Sequence, residues 1–384
     1  MDAPQKTALL VLGMHRSGTS SLAGTLVKLG ATAPKTLHPA QMDNERGFFE
    51  SVVLMHINIE ILGSAASDWH DWRAFDKAWF ESASAEEFEE KAAAALVDEF
   101  GLSRLIVVKD PRICRIMPFW TKVLHRAGFT TRVIIPVRSP LEVARSLQKR
   151  DRFPMSKSLL LWLRHVLDAE AASRNVPRAV IDWPNFLADW RLAAVRMEEQ
   201  IGVSWPGLSD LSANEIDDFL TPSLRHFVVT SENFAVDPEV SEWVRIAYGA
   251  MCTLAVEPTS STALQALDNI RAEFDKASTI FGRALVECEM VATNAQTEAN
   301  ALRSERDRLQ GEATEHRARA DALAAELDVV IAERAFLAEH LAAAVADRDR
   351  LSGEVTEHRA RADALAAEPD AALTERGTLS EQLR

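Results

Sequence analysis

The chain has 384 residues, 47% of them hydrophobic and 26% charged, which suffices for one sizeable domain with a buried core and a further segment. Its formal net charge of −14 argues against a general nucleic-acid binder or a membrane-surface protein, so any anion site must be a local basic pocket. Three widely spaced cysteines predict a reducing, cytoplasmic compartment, and no apolar run approaches the roughly 18 residues of a transmembrane segment.

The first predicted strand, Thr7–Leu12, leads through a glycine-containing loop into a helix predicted over residues 19–29. This layout is typical of a phosphate-binding loop. The ATP-binding form of such a loop, G-x-x-x-x-G-K-[ST], requires a lysine after its second glycine. Here Thr19 stands at that position, and the basic residue of the loop is Arg16. The sequence therefore predicts an anion-binding loop that differs from that of an ATPase.

Backbone amides between Gly13 and Gly18, several hydroxyl groups and the positive end of the following helix suit a phosphate or a diphosphate-like anion. Arg16 is placed to offset negative charge that builds on a leaving group, although a glycine turn with a surface arginine is a plainer alternative. We expect His15 to be a hydrogen-bonding wall residue. The predicted ligands of the anion are His15, Arg16, Ser17, Gly18, Thr19 and Ser20.

Three further strands are predicted at Arg104–Asp110, Thr131–Val137 and Arg178–Asp182. Helices are predicted between them near residues 51–62, 85–100, 115–127, 140–150, 156–173 and 185–201. This alternation predicts an α/β fold with a parallel sheet flanked by helices on both faces. Ligands of such sheets bind beyond the carboxyl ends of the strands, where the first three strands continue into GMHRSGTS, KDPR and RSP.

The loop after the third strand carries a second basic motif. Arg138 ends that strand, and Pro140 opens the following helix at a position where proline is favoured. Ser146 lies eight residues after Arg138, two turns into the helix. We expect Arg138 and Ser146 to converge on a second phosphate at a distance from the first loop. Lys149 and Arg150 are expected to lie on the solvated face of the helix.

Together these motifs resemble those of the sulfotransferases that use 3′-phosphoadenosine 5′-phosphosulfate (PAPS). In that family a loop with [KR]-S-G-T-[ST] grips the 5′-phosphosulfate, and a strand and helix with R-x7-S grip the 3′-phosphate. HRSGTSS at His15–Ser21 is similar to the first motif, and Arg138 with Ser146 is similar to the second in identity and spacing. VIDWPNFLADWRLAAVRMEEQIGV resembles a later strand and helix of the family, and DNERGFFES and KDPRICR resemble its bacterial members. The resemblance covers about residues 5–250.

The resemblance implies a P-loop NTPase-like sulfotransferase fold and in-line transfer of a sulfuryl group from PAPS to a hydroxyl or amine. The leaving product would be 3′-phosphoadenosine 5′-phosphate (PAP), and no metal is implied. Bacterial members suggest a saccharide or glycolipid as acceptor. Two family features lack a clear match: an adenine-stacking aromatic residue, and the C-terminal R-K-G segment, for which Arg225 and His226 are weak substitutes.

Such a transfer needs a general base that takes the proton of the acceptor. Glu50 is the first choice because it precedes a helix in a loop that is able to cover the site, although a favourable charge at the N-terminus of that helix explains it nearly as well. The other candidates are His38, Glu45 and Asp110.

Two neighbouring features leave alternatives open. Lys109 and Arg112 flank Asp110 and either orient an anionic acceptor or form a structural ion pair with it. Trp69 and Trp72 lie in a polar stretch and either line a sugar site or belong to the core.

After about Pro258 the chain becomes rich in Ala, Glu, Arg, Leu and Asp, and it contains a repeat of 42 residues, or six heptads, first at Glu305 and again at Asp347. One heptad frame holds Leu302, Leu309, Leu323, Leu337, Leu351, Leu365 and Leu379. This pattern predicts a coiled coil that forms a homo-oligomer, with a solitary helix as the alternative. Pro369 is expected to break or kink the helix. The predicted organisation is a sulfotransferase-like domain over 5–255, a helical linker over 256–300 and the coiled coil over 301–384.

Two other functions compete with sulfuryl transfer. A P-loop kinase for small molecules is disfavoured by Thr19 in place of the lysine and by the lack of a clear acidic magnesium ligand. A non-catalytic coiled-coil scaffold with a degenerate nucleotide domain is disfavoured because Arg16, Arg138 and Ser146 are all present.

Overall fold

The computed structural model describes residues 6–40, 44, 46–221 and 231–383 of the chain. Clustering of its contacts divides the chain into two compact units, Met1–Glu287 and Cys288–Arg384.

Within the described residues, four strands form one parallel sheet in the order β2-β1-β3-β4. The strands are β1 (Lys6–Val11), β2 (Leu105–Lys109), β3 (Phe129–Val137) and β4 (Arg178–Asp182). Val11 lies opposite Lys109 on one side and Ile134 on the other, so the carboxyl ends of β1, β2 and β3 lie along one edge of the sheet.

Alternation along β1 shows why the sheet is covered on both faces. Leu9 and Val11 pack into one hydrophobic cluster, whereas Ala8 and Leu10 pack into the other, and all four are fully buried. A strand that is apolar on both sides is typical of a parallel sheet with helices on both faces. The predicted α/β architecture is confirmed.

In chain order the helices are α1 (Thr19–Lys28), α2 (Val52–Ser64), a 3-10 helix (Lys77–Glu81), α3 (Ala83–Phe100), α4 (Ile113–Arg126), α5 (Pro140–Asp151), α6 (Met155–Ala172), α7 (Trp183–Ala188), α8 (Trp190–Ile201), α9 (Asp210–Phe219), α10 (Ser231–Val236), α11 (Glu242–Val256) and α12 (Ser261–Gln382). The helix predicted over 185–201 is two helices, because Asp189 leaves the helical conformation and its side chain accepts a hydrogen bond from the backbone N–H of Leu192.

The first turns of α12 belong to the core of the first unit. Ala263, Leu267, Ile270 and Phe274 are buried in the same cluster as β1, and the Phe274 ring stacks on Trp72 with 5.8 Å between centroids. The first unit consequently extends to Glu287. The segment 256–300 was expected to be a linker. Its first half is instead a packed helix, because one face of it covers apolar side chains of the sheet domain.

The second unit is helical throughout its described residues. From residue 301 onward every described residue is exposed, including the leucines of the heptad frame. Pairs such as Arg350 with Glu354, 2.7 Å apart, support the helix from within at i,i+4 spacing. The break expected at Pro369 is absent, since α12 continues through it to Gln382. The predicted helical tail is confirmed, and its association into a coiled coil stays a prediction.

Candidate functional site

The loop between β1 and α1 has an unusual backbone. Arg16 adopts φ 71° and Gly18 φ 87°, both in the left-handed region, and the backbone N–H of Ser17 donates to the carbonyl of Met14 at 3.1 Å. A non-glycine residue in this region costs free energy, so such residues cluster at ligand-binding sites. At Gly18 the restriction is also steric, because a Cβ atom would lie 2.5 Å from the ring of Trp183. The loop is therefore fixed in a shape that suits anion binding by backbone amides.

The two predicted phosphate-binding motifs are in direct contact. The Nε atom of Arg16 donates to Ser146 Oγ at 2.8 Å, and Arg138 Nη1 donates to the backbone carbonyl of Arg16 at 3.0 Å. The two motifs touch because β1 and β3 are neighbours in the sheet and their loops meet. The expected position of a second phosphate at a distance from the first loop stays a prediction.

A buried ion pair orients Arg138. Its Nε atom donates to Glu142 Oε2 at 2.9 Å, one helical turn further along, and both side chains are nearly inaccessible to solvent. Ser146 is also buried, at 5% exposure. The second motif is consequently held in place by the protein before any ligand arrives.

The end of β2 contributes a lysine, Lys109, that the sequence motifs did not assign to the anion site. Lys109 Nζ donates to Ser20 Oγ at 3.2 Å and also to a carboxylate oxygen of Glu50. All three residues belong to the wall of one pocket. The signal in the sequence was the position of Lys109 at the end of a strand, beside the carboxyl ends of β1 and β3.

Asp110 forms a buried ion pair with Arg112, whereas Lys109, the other cation beside it in the sequence, pairs with Glu50. The Asp110 carboxylate accepts hydrogen bonds from Asn58 Nδ2 at 2.9 Å and from Arg112 Nη1 at 2.9 Å, and the residue is 2% exposed. Asn58 in turn accepts from Trp120 Nε1 at 2.8 Å. Asp110 therefore pairs with Arg112, and it lies outside the walls of both pockets described below.

The first of these pockets, here called the loop pocket, lies at the carboxyl edge of the sheet. Its walls are His15, Arg16, Gly18, Thr19, Ser20, Ser21, Asn44, Phe48, Glu50, Lys109, Pro111, Arg138, Arg150 and Trp183. Four of these side chains are cationic and one is a carboxylate. Although the whole chain is acidic, the wall of the loop pocket carries a net positive charge, as an anion site requires.

An adjoining cavity, here called the aromatic pocket, shares four wall residues with the loop pocket. Its walls are His15, His38, Phe48, Glu50, Met55, Trp69, Arg112, Arg150 and Asp151. Trp69 packs against Phe153, with 5.6 Å between ring centroids. Trp72, the second tryptophan of that stretch, is 3% exposed and belongs to the core. Trp72 therefore belongs to the core, whereas Trp69 lines a cavity and also packs against the core cluster.

Arg150 was expected on the solvated face of its helix, and that expectation is wrong. The residue lines both pockets, its guanidinium lies 5.7 Å from the centre of the Trp69 ring, and its Nε atom donates to Asp151. The last turn of α5 reaches over the site, which helical periodicity alone does not reveal.

His15 lies at the boundary of the two pockets. Its ring contacts the edge of Trp69 with 4.6 Å between centroids, and among the described residues its Nε2 atom is buried without a hydrogen-bond partner. Burial lowers the pKa of His15 well below its ordinary value, and the nearby charges of Arg150, Arg112 and Lys109 lower it further. These surroundings favour the neutral form of the His15 imidazole.

The remaining base candidates differ in their surroundings. Glu50 is 5% exposed and lines both pockets, with Arg112 Nη1 4.0 Å from its Oε2 atom in addition to its contact with Lys109. His38 is partly exposed in the aromatic pocket, and its Nδ1 atom lies 3.0 Å from the carbonyl of Pro39. Glu45, Arg225 and His226 lie outside the described residues.

Metal binding and membrane crossing would each need a recognisable structural feature. Within the part of the chain that the structure describes, no group of three or more His, Cys, Asp or Glu side chains is arranged to hold a metal ion. In the same residues, no helix combines the length and apolar character that crossing a membrane requires.

Comparisons with known proteins find solved structures that are similar to this chain but no match of sequence. No family model and no curated protein matches the chain. The sulfotransferase domain from the Synechococcus PCC 7002 olefin synthase is similar over 62% of this chain and 98% of its own length, at 17% identity and a TM-score of 0.35. The sulfotransferase domain from the curacin biosynthetic pathway is similar over 62% of this chain and 99% of its own length, at 14% identity and a TM-score of 0.34. Neither likeness identifies an activity for this chain, which must be inferred from the site itself.

Proposed function

We propose that this protein transfers a sulfuryl group from PAPS to a hydroxyl or amine of an acceptor, with PAP as the product that leaves. The observation that carries the proposal is the junction of the two motifs, where Arg16 donates to Ser146 and Arg138 donates to the carbonyl of Arg16. A donor with a 5′-phosphosulfate and a 3′-phosphate presents two anionic groups, and this edge of the sheet presents two adjoining basic loops.

The loop pocket fits such a donor in charge and in donor groups. The loop amides, the N-terminal end of α1 and the hydroxyls of Thr19 and Ser20 would bind the phosphosulfate end. Arg138 and Ser146 would bind the 3′-phosphate. Binding would replace the hydrogen bond between Arg16 and Ser146 by contacts of both side chains to the ligand.

PAPS supplies a sulfuryl group on a mixed anhydride, and the protein must stabilise the charge that remains on the phosphate side. Arg16 is suited to this role because its guanidinium lies in the pocket wall and its backbone is held in a strained conformation. Lys109, at hydrogen-bond distance from Ser20, adds a second positive charge nearby. Such preorganised charges are among the largest contributions to catalysis.

The aromatic pocket is the proposed acceptor site. Trp69, Phe48 and Met55 provide an apolar wall, and Arg112 and Arg150 stand beside it. A wall of this kind suits the flat, weakly polar face of a sugar ring, which agrees with a saccharide or glycolipid acceptor. Glu50 and His15 line both pockets and are the residues from which a general base is chosen.

A kinase would use the same edge of the sheet differently. It would need an acidic magnesium ligand near the loop, and the acid at the end of β2, Asp110, is already bonded to Asn58 and Arg112. This favours sulfuryl transfer over phosphoryl transfer.

The tail is proposed to hold several copies of the chain together. Its heptad leucines, such as Leu337 at 65% and Leu365 at 59% exposure, are apolar side chains in water, and a second copy of the same helix would bury them. We expect the tail to form a homo-oligomer.

Calorimetric titration tests the proposed donor site directly. PAP should bind the full chain at least about tenfold more tightly than ADP with magnesium, because only PAP places a phosphate at both motifs. Equal affinity for both nucleotides would remove the 3′-phosphate assignment, and tighter binding of ATP with magnesium would favour the kinase.

A further inference from the structure

The boundary between the two pockets has few groups that are able to accept a proton. The residues that line both are His15, Phe48, Glu50 and Arg150. Phe48 has no titratable group, and an arginine side chain does not give up its proton in proteins. If the donor occupies the loop pocket and the acceptor the aromatic pocket, the base at their boundary is either Glu50 or His15.

Glu50 is poorly placed to accept a proton. Lys109 Nζ bonds directly to one of its oxygens, and Arg112 Nη1 lies 4.0 Å from the other. Two nearby cations favour the ionised form of a carboxylate and weaken it as a base. Protonation of Glu50 would also break its buried ion pair with Lys109, which is costly. Glu50 is better suited to hold Lys109 against Ser20 in the loop pocket.

His15 lies near the same cations but, unlike Glu50, is not engaged in an ion pair with any of them. Its ring is held by the edge of Trp69 at 4.6 Å and by its place in the loop next to Arg16, and among the described residues no acid forms an ion pair with it. The residue belongs to the wall of each pocket, so one side of the loop is able to face the acceptor while Arg16 faces the donor.

We propose, on the basis of the proposed function, that His15 is the general base of the transfer. As the acceptor oxygen forms its bond to sulfur, its O–H bond breaks and the proton passes to an imidazole nitrogen of His15. The S–O bond to the 5′-phosphate breaks in the same step, and its electron pair stays on the phosphate oxygen beside Arg16. His15 then releases the proton to solvent when the product leaves.

The charges around His15 predict how ligand binding changes its proton affinity. The groups that face it are Arg150 of α5, Lys109 and Arg112 around the end of β2, and His165 of α6, and all of them act to lower its pKa. A bound anion in the loop pocket offsets these charges. PAP binding should therefore raise the pKa of His15.

The test compares His15→Gln with wild type in the full chain. PAP affinity is measured by calorimetry, and transfer from labelled PAPS is measured with methyl glycosides as probe acceptors. We expect PAP affinity within about threefold of wild type at pH 8 and a kcat lowered by about 10² to 10³. Glu50→Gln should lower kcat less, and His56→Gln, which alters an exposed histidine of α2, is the matched control.

A second readout does not depend on the acceptor. Labelled histidine NMR follows the His15 ring during a pH titration of wild type with and without PAP, and the signal missing from His15→Gln, or from His15→Asn if the first variant does not fold, identifies it. Its pKa should rise when PAP binds. A full kcat in His15→Gln, or a His15 pKa that PAP leaves unchanged, would overturn the proposal. Absence of PAP binding to wild type would instead overturn the proposed function itself.

Discussion

The loop pocket and the aromatic pocket share four wall residues but are built by different means. The loop pocket is formed by backbone in the left-handed region, by buried cations and by the ends of neighbouring parallel strands. The aromatic pocket is formed by side chains of helices and connecting segments, with Trp69, Phe48 and Met55 on its wall. If the proposed function holds, the rigid loop pocket binds the donor, which is the same in every reaction. The aromatic pocket, whose side chains are more easily exchanged, binds the acceptor.

The largest expected effect concerns Arg16. Arg16→Ala should lower the rate of transfer by about 10³, because it removes a charge aimed at the leaving phosphate, and should weaken PAP binding by less than about tenfold. Transfer from labelled PAPS and PAP calorimetry measure the two quantities.

Lys149→Ala, which removes an exposed charge from α5, is the control and should change neither. If Arg16→Ala lowers transfer and PAP affinity equally, Arg16 only binds the ground state.

Arg138 should act on donor affinity. Its removal would break a buried ion pair with Glu142, so Arg138→Ala is combined with Glu142→Gln and compared with Glu142→Gln alone. The double variant should bind PAP about 10- to 100-fold more weakly than the single one, as expected for lost hydrogen bonds to a charged group.

The same pair should bind adenosine 5′-phosphate with nearly equal affinity, since that ligand lacks the 3′-phosphate. A matching loss for both ligands would show that Arg138 shapes the first loop rather than binding the second phosphate.

Trp69 and Trp72 offer a matched test of the aromatic pocket. Trp69→Ala should raise the KM of the acceptor about tenfold and leave PAP affinity unchanged, because a lost aromatic contact is worth about 0.5 to 1.5 kcal/mol. Trp72→Ala should instead lower the free energy of unfolding by about 3 to 5 kcal/mol, as a large core residue does. Denaturant unfolding and acceptor kinetics distinguish them, and an unchanged KM in Trp69→Ala would place the acceptor elsewhere.

The smallest effect on either pocket is expected from the tail. Every wall residue of both pockets precedes residue 288, so a chain of residues 1–287 should keep its fold and its PAP affinity while its oligomeric state falls. Sedimentation and calorimetry measure this.

A chain of residues 1–260 is the contrast. It loses the buried Leu267, Ile270 and Phe274 and should be less stable by more than about 5 kcal/mol. Equal stability of the two truncated chains would contradict the packing of α12 on the sheet domain.

Much of the sheet edge was predictable because it depends on order along the chain. Apolar runs that stop at polar residues identified all four strands of the described sheet, and the parallel arrangement brought their loops together. Identity and spacing within the motifs then indicated Arg16, Arg138 and Ser146, which the structure places in contact.

The features that sequence reasoning missed depend on how elements rotate against one another. Trp183 lies under Gly18, and Arg150 turns toward Trp69, only because of the packing of α7 and α5. The burial of Phe274 depends on a surface of the core that the composition of α12 does not describe. Periodicity identifies a helix but does not specify which neighbour covers its faces.

The central claim is sulfuryl transfer from PAPS, and the most direct measurement is the fate of labelled sulfate. The full chain is incubated with PAPS labelled on sulfur, a chelator of divalent metals and a panel of glycosides and small alcohols. We expect the reaction to yield labelled sulfate ester together with an equal amount of PAP. Phosphoryl transfer from ATP with magnesium, in a chain that forms no sulfate ester across the panel, would contradict it.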